Sequence, residues 1–203
     1  MALVKHTNNS LSNITALPSA VPTGNMTLLS TATASSSASL SFNSTYINSD
    51  YLIYKFEFIN MHPATDNVDF HFNLSTDNGS NYNVTKTTTM FYAYHNEAGT
   101  DNAFGYDSSN DLAQSTGYQI IGNNNGNASD ESLAGDLIIF NPSSSVFVKH
   151  FICSNTYTHQ NNAQVQRKLA GYGNTTSAVN AINFKFSSGN IGSGQIKLYG
   201  LGI

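Results

Sequence analysis

The chain has 203 residues, 39% hydrophobic and only 10% charged, with eight Lys and Arg against twelve Asp and Glu for a formal charge of −4. That length suits one domain with its own core, and twelve Phe and eleven Tyr are ample material for it. The few cations are scattered without a basic cluster, which argues against nucleic acid and against an anionic membrane surface as partners.

In chain order, residues 1–24 read as an extended arm. Pro18 and Pro22 disfavour helix, and Gly24 ends the segment. Leu3, Val4, Leu11, Ile14 and Leu17 are its candidate assembly contacts. No apolar run of seven or more occurs there, so a signal peptide is not expected and synthesis in a cytoplasm is. A single domain is expected over 25–203.

Met26–Ala32 and Ser37–Phe42 read as strands around a small-residue turn. Tyr51–Ile59 is a strong strand, with Tyr54, Phe56 and Phe58 on one side and Lys55 and Glu57 on the other. Val68–Leu74 alternates in the same way, sending Phe70, Phe72 and Leu74 inward and Asp69, His71 and Asn73 to water. Asp77-Asn78-Gly79 is hairpin-turn chemistry, returning as Tyr82–Thr88 and then the aromatic strand Met90–His95. Residues 96–115 read as a long loop with one helical turn near Asp111–Gln114. Gly117–Ile121 is a short strand and Gly122–Ser132 a loop.

Leu133–Phe140 and Val146–Cys153 flank the turn Asn141–Ser144. On the second of these strands, His150 is expected on the side of Val146, Val148 and Ile152 and partly buried. Gln164–Gly171, Val179–Ser187 and Gln195–Leu201 complete the series, with a glycine-rich turn at Ser188–Gly194. The core is expected from Phe56, Phe58, Phe70, Phe72, Leu74, Ile138, Phe140, Val148, Phe184, Phe186, Ile196 and Leu198. Roughly ten strands, spaced ten to fifteen residues apart without an amphipathic helix, predict an all-β, antiparallel β-sandwich of jelly-roll type.

Little in the chain resembles catalytic machinery. It has three glutamates, no G-x-S-x-G elbow, and no Cys/His cluster with zinc spacing. The single cysteine, Cys153, reads as a small buried hydrophobe. No enzyme activity, cofactor or catalytic residue is expected. Calcium chemistry is conceivable where oxygen ligands crowd a loop, at 101–111 and 123–131, although neither matches an EF-hand. Tyr92, Tyr94 and Tyr106 lie beside loops, where aromatic faces suit sugar rings.

Three stretches carry a resemblance: FINMHPATDNVDFHFNLSTDNGSNYNVTKT at 58–87, NPSSSVFVKHF at 141–151 and FKFSSGNIGSGQIKLYGL at 184–201. They resemble virion structural proteins, of the decoration or tail-fibre-like kind, of marine tailed bacteriophages, especially cyanophages. The resemblance implies a place on the virion surface. It also implies partners among other virion proteins and copies of the chain itself, a symmetric trimer among the assemblies that fit. A lectin-like module contacting host surface polysaccharide is the alternative expectation.

Overall fold

The computed structural model describes residues 26–202. The expected arm over 1–24, with Leu3, Val4, Leu11, Ile14 and Leu17, lies outside the described residues. The regular elements are β1 (Thr27–Thr33), β2 (Leu40–Phe42), β3 (Ile53–Pro63), β4 (Val68–Ser75), β5 (Lys86–Asn96), β6 (Asn102–Tyr106), β7 (Gln119–Asn125), β8 (Leu133–Phe140), β9 (Lys149–His159), β10 (Ala163–Gly173), β11 (Ala181–Phe186) and β12 (Ile191–Leu201). No helix occurs among the described residues, so the protein is all-β.

Every strand pair is antiparallel, in one sheet ordered β1-β12-β3-β8-β9-β7-β4-β11-β2, with β10 added to β9, β5 to β10 and β6 to β5. The two ends of that path, β1 and β2, are consecutive in the chain. Between them Ala34 N donates to Gly194 O (2.9 Å) and Ser37 N to Ile191 O (2.9 Å). The sheet therefore nearly closes on itself.

Alternation explains what fills it. Phe56 and Phe58 of β3, Phe70 and Phe72 of β4, Phe184 and Phe186 of β11 and Phe42 of β2 are all buried. Phe184 sits at their centre, with ring centroids 5.3 Å from Phe58, 5.4 Å from Phe56, 6.2 Å from Phe70 and 6.4 Å from Phe42. Edge-to-face and offset contacts at these spacings suit the aromatic quadrupole. Each ring removed from water contributes about 2–3 kcal/mol.

Several expectations are corrected. Ile138, Phe140 and Val148 do not belong to the core. Leu137 and Ile139 of β8 point inward, opposite Cys153 and Phe151 of β9. In the run Leu137–Phe140 both sides of the strand are apolar, so alternation alone cannot choose the face. In β9 the inward set is Lys149, Phe151 and Cys153, leaving His150 and Ile152 exposed. That strand begins only at Lys149, because Ser144 Oγ accepts from Val146 N (3.1 Å) and Phe147 N (2.9 Å) and holds a turn there.

His71 and Asn73 do not face open water. Asn73 is buried, its Nδ2 donating to Tyr82 O (2.6 Å) and Thr116 O (3.0 Å). The His71 ring packs on Tyr118 at 4.8 Å, and burial, with help from Lys185, pushes its pKa down to about 4. The Asn78-Gly79 turn forms with both φ positive (60° and 88°), but it closes no ladder, since β4 pairs with β7 and β11. Neither Tyr82–Val84 nor the segment expected to turn helically near Asp111 is regular, whereas β5 runs unbroken from Lys86. β6 and the end of β7 fill what reads as loop in the sequence.

β5, β6 and β10 widen the sheet beyond the strands that face it, and the segment after β6 folds back along β5. Asp107 N donates to Met90 O (3.0 Å), Thr88 N to Leu112 O (2.9 Å) and Ser115 N to Lys86 O (3.0 Å). Buried Gln119 ties the same segment down, its Nε2 donating to Asn110 O (2.9 Å). Residues 107–110 are thereby fixed over the inner face of β5 and β10.

Candidate ligand-binding cleft

Under that overhang lies a cleft of about 630 Å³, walled by β5, β10, residues 107–110, Asn123 of β7 and the turn between β9 and β10. Tyr92 and Tyr94 are two apart on β5, so the pleat turns both rings to the cleft side. They stack with centroids 6.1 Å apart and planes 21° apart. Tyr94 Oη donates to Asp101 Oδ2 at 3.0 Å, which pins that ring and, first among the causes, raises the phenol's pKa. Tyr92 lies across Gly105 of β6, where a Cβ would come within 3.2 Å of its hydroxyl.

The floor is charged. Arg167, the chain's only arginine, pairs with Tyr92 across the β10–β5 ladder and is 5% exposed. Its Nη1 lies 2.6 Å from Asp107 Oδ2. The approach is off the N–H direction, so this buried nitrogen lacks an aligned acceptor. Its Nε donates to Tyr157 Oη (2.9 Å), and Tyr157 donates to Asn123 Oδ1 (2.6 Å). Asp107, 7% exposed, also accepts from Asn110 Nδ2 at 3.0 Å on both oxygens. Breaking such a buried pair by removing one partner costs about 3–5 kcal/mol, because the other charge is stranded.

The remaining wall is uncharged. Burial, then the nearby Arg167 charge, lowers the His159 pKa, so its ring is neutral at pH 7. Asn161 and Asn123 bring carboxamides to the rim. Arginine does not release a proton in proteins, so the Arg167–Asp107 pair offers hydrogen bonds and a fixed dipole to a ligand.

The sequence-derived candidates divide. Tyr92 and Tyr94 meet in the cleft. Tyr106 does not, since it is cross-strand from Phe91 and so faces the other side of the sheet, where it donates to Asp111 Oδ2 at 2.5 Å. Asp101, Asp107 and Asp111 of the first calcium-like loop are engaged with Tyr94, Arg167 and Tyr106 respectively. In the second loop Glu131 Oε2 accepts from Ala128 N at 2.7 Å. Among the described residues no three His, Cys, Asp or Glu side chains gather as a metal-binding group. Cys153 is buried, and burial pushes its thiol pKa far up, which fits its expected packing role.

Arg167 was not singled out by sequence reasoning, and Asp107 and Asn123 entered it only as members of the two calcium-like loops. The usable signal was Arg167 itself, standing between Val165 and Leu169 at an inward position of a strand, where a charge requires a partner. Compared with known proteins, the chain matches no protein-family model, no curated protein and no solved structure.

Proposed function

We propose that this chain is a non-enzymatic structural protein of a tailed-phage particle, folded as a jelly-roll sandwich and displayed as a capsid decoration or tail-appendage component. It acts by self-association and by contact with a larger scaffold. The resemblance of residues 58–87, 141–151 and 184–201 to virion proteins supports the location. The strand order supports the sandwich. The runs β1-β12-β3-β8 and β2-β11-β4-β7 alternate between two four-stranded halves as the chain advances, the pattern of paired Greek keys. β5, β6, β9 and β10 then widen the first half.

The observation that carries self-association is the state of β6. Among the described residues it pairs only with β5, which leaves its other edge without a partner strand there. Phe104 is 75% exposed there, packed on exposed Phe91 at 5.8 Å, with Tyr106 and Ile152 exposed on the same side of the sheet. Open edges bearing apolar side chains pair with other chains unless blocked by charge, proline or a bulge, and β6 has none of these.

Light scattering on the purified chain at micromolar concentration is expected to give a closed oligomer. Phe104→Lys, which places a charge on the open edge, should shift it to monomer without lowering Tm. A monomeric wild type would sink the self-association, and antibody labelling that finds none of the protein on intact particles would sink the location.

A further inference from the structure

We propose that the cleft between β5, β10 and residues 107–110 is a saccharide site that takes an uncharged pyranose ring. It is separate from the assembly surface of β6, whose Phe104 and Tyr106 point to the opposite side of the sheet.

Three features select the ligand. First, Tyr92 and Tyr94 set two near-parallel rings on the cleft side, 6.1 Å apart, with Tyr94 fixed by Asp101 and Tyr92 lying over Gly105, which carries no Cβ to crowd it. The C–H face of a pyranose is a flat apolar surface that suits an aromatic face, and tyrosine offers it together with a hydroxyl. A flat aliphatic ligand would also stack there, but it would leave the polar floor unpaired, at a high desolvation cost.

Second, the floor presents fixed polar atoms, donors and acceptors together. Arg167 Nη1, inside a side chain 95% buried by the complement of its 5% exposure, lacks an aligned acceptor. A ligand hydroxyl oxygen can accept from it while the same hydroxyl donates to an Asp107 oxygen. Among the described residues, Asn123 Nδ2 and the Asn161 carboxamide make no side-chain hydrogen bond that would compete, and both line the cleft. Hydroxyls, which donate and accept at once, match this mixture of donors and acceptors.

Third, the charge is wrong for an anion. Two carboxylates, Asp101 and Asp107, stand against the single guanidinium of Arg167. His159 stays neutral. The Asp107 carboxylate, 2.6 Å from that guanidinium, offsets its charge, so a uronic or sialic acid, or a phosphate, would meet net negative charge. The cleft volume of about 630 Å³ exceeds that of one ring, as fits a residue within an oligosaccharide.

The experiment is a titration of the full chain, ¹⁵N-labelled, with the methyl glycosides of glucose, galactose, mannose and N-acetylglucosamine, and separately with glucuronic acid. A single ring makes few contacts, so millimolar affinity, ~1–10 mM, is the expected scale. At least one neutral glycoside should shift amides of residues 92–96, 107–110 and 161–167 selectively, with glucuronic acid at least ~10-fold weaker. Tyr92→Ala should weaken binding ~10-fold or more. Tyr92→Phe keeps the ring and should stay within ~3-fold, which separates loss of stacking from loss of fold. Absence of binding by all four glycosides, preference for glucuronic acid, or binding indifferent to Tyr92→Ala would each overturn the assignment. None of these outcomes bears on oligomer size or particle location, which are read separately.

Discussion

Two of the interior cations, Arg167 and Lys86, are accommodated in different ways. Arg167 is paired with Asp107. Lys86 is fully buried with no carboxylate, its Nζ donating to Asn73 Oδ1 (2.5 Å) and Val84 O (2.8 Å), and burial pulls its pKa down to about 7. In the unfolded chain that ammonium titrates near its ordinary value of about 10.4. Between the two values the unfolded state holds more protons, so stability rises with pH. The contribution is fully present above the unfolded value and is lost as pH falls toward 7. Replacing the amine with an apolar side chain of similar length, Lys86→Met, removes that slope. Urea unfolding at pH 7.5 and 9.5 should show the wild type gaining ~2–3 kcal/mol relative to Lys86→Met, at about 1.4 kcal/mol per pH unit. Parallel pH profiles for the two proteins would refute the buried neutral amine. Arg167 carried one signal in the sequence, its inward place between Val165 and Leu169, and Lys86 carried none. Lys86 stands within a polar Thr-rich segment, where nothing in the local pattern says which face is inside.

At the scale of elements, strands with strict alternation were legible and strands with two apolar sides were not. Tyr54, Phe56 and Phe58 face inward as their spacing requires, while Leu137–Phe140 took the face opposite to expectation because its ladder partners on β9 decide it. β6 was hidden for a related reason. A five-residue edge strand on one neighbour carries no second periodic partner, and its Asn, Gly and Tyr mimic a loop. Bulges were equally invisible. The β12–β3 ladder slips between Ser193 and Gln195, and Gly194 absorbs the slip at φ +118°, where a Cβ would lie 2.5 Å from Asn60 O and 2.8 Å from Met61 Cα. Gly194→Ala must therefore bend both strands of a central ladder. Gly99, at φ +69° with open space around it, isolates the backbone component alone. Thermal unfolding should show Gly194→Ala losing at least ~2 kcal/mol and Gly99→Ala about 1 kcal/mol. Equal losses would mean that the crossing at Asn60 is soft.

Across the whole molecule the pairings join strands from the two ends of the chain, β1 with β12, β2 with β11 and β3 with β12. All-β content and strand rhythm were readable from the chain, but which distant strands meet was not, since pairing across more than a hundred residues leaves no local trace. Such non-local pairing makes folding slow, because no half of the chain can complete its sheet without the other. β12 is the critical piece. It bonds β1 on one side and β3 on the other, and it buries Ile191, Ile196 and Leu198. Removing residues 191–203 would open two strand edges at once and uncover the aromatic core, so that protein should be recovered only as aggregate. Removing residues 2–20 leaves in place every described strand, all of which lie within Thr27–Leu201. That shortened protein should keep its β circular dichroism and a Tm within ~3 °C of the full chain, because Tm moves only ~2–4 °C per kcal/mol in a domain this size. If residues 1–24 make the assembly contacts expected of them, it should also fail to join particles during infection. A soluble, cooperatively melting protein without residues 191–203 would show that the sheet does not depend on β12. Normal incorporation of the protein lacking residues 2–20 would move the assembly contacts from the N-terminal segment to the sheet, with β6 the first place to look.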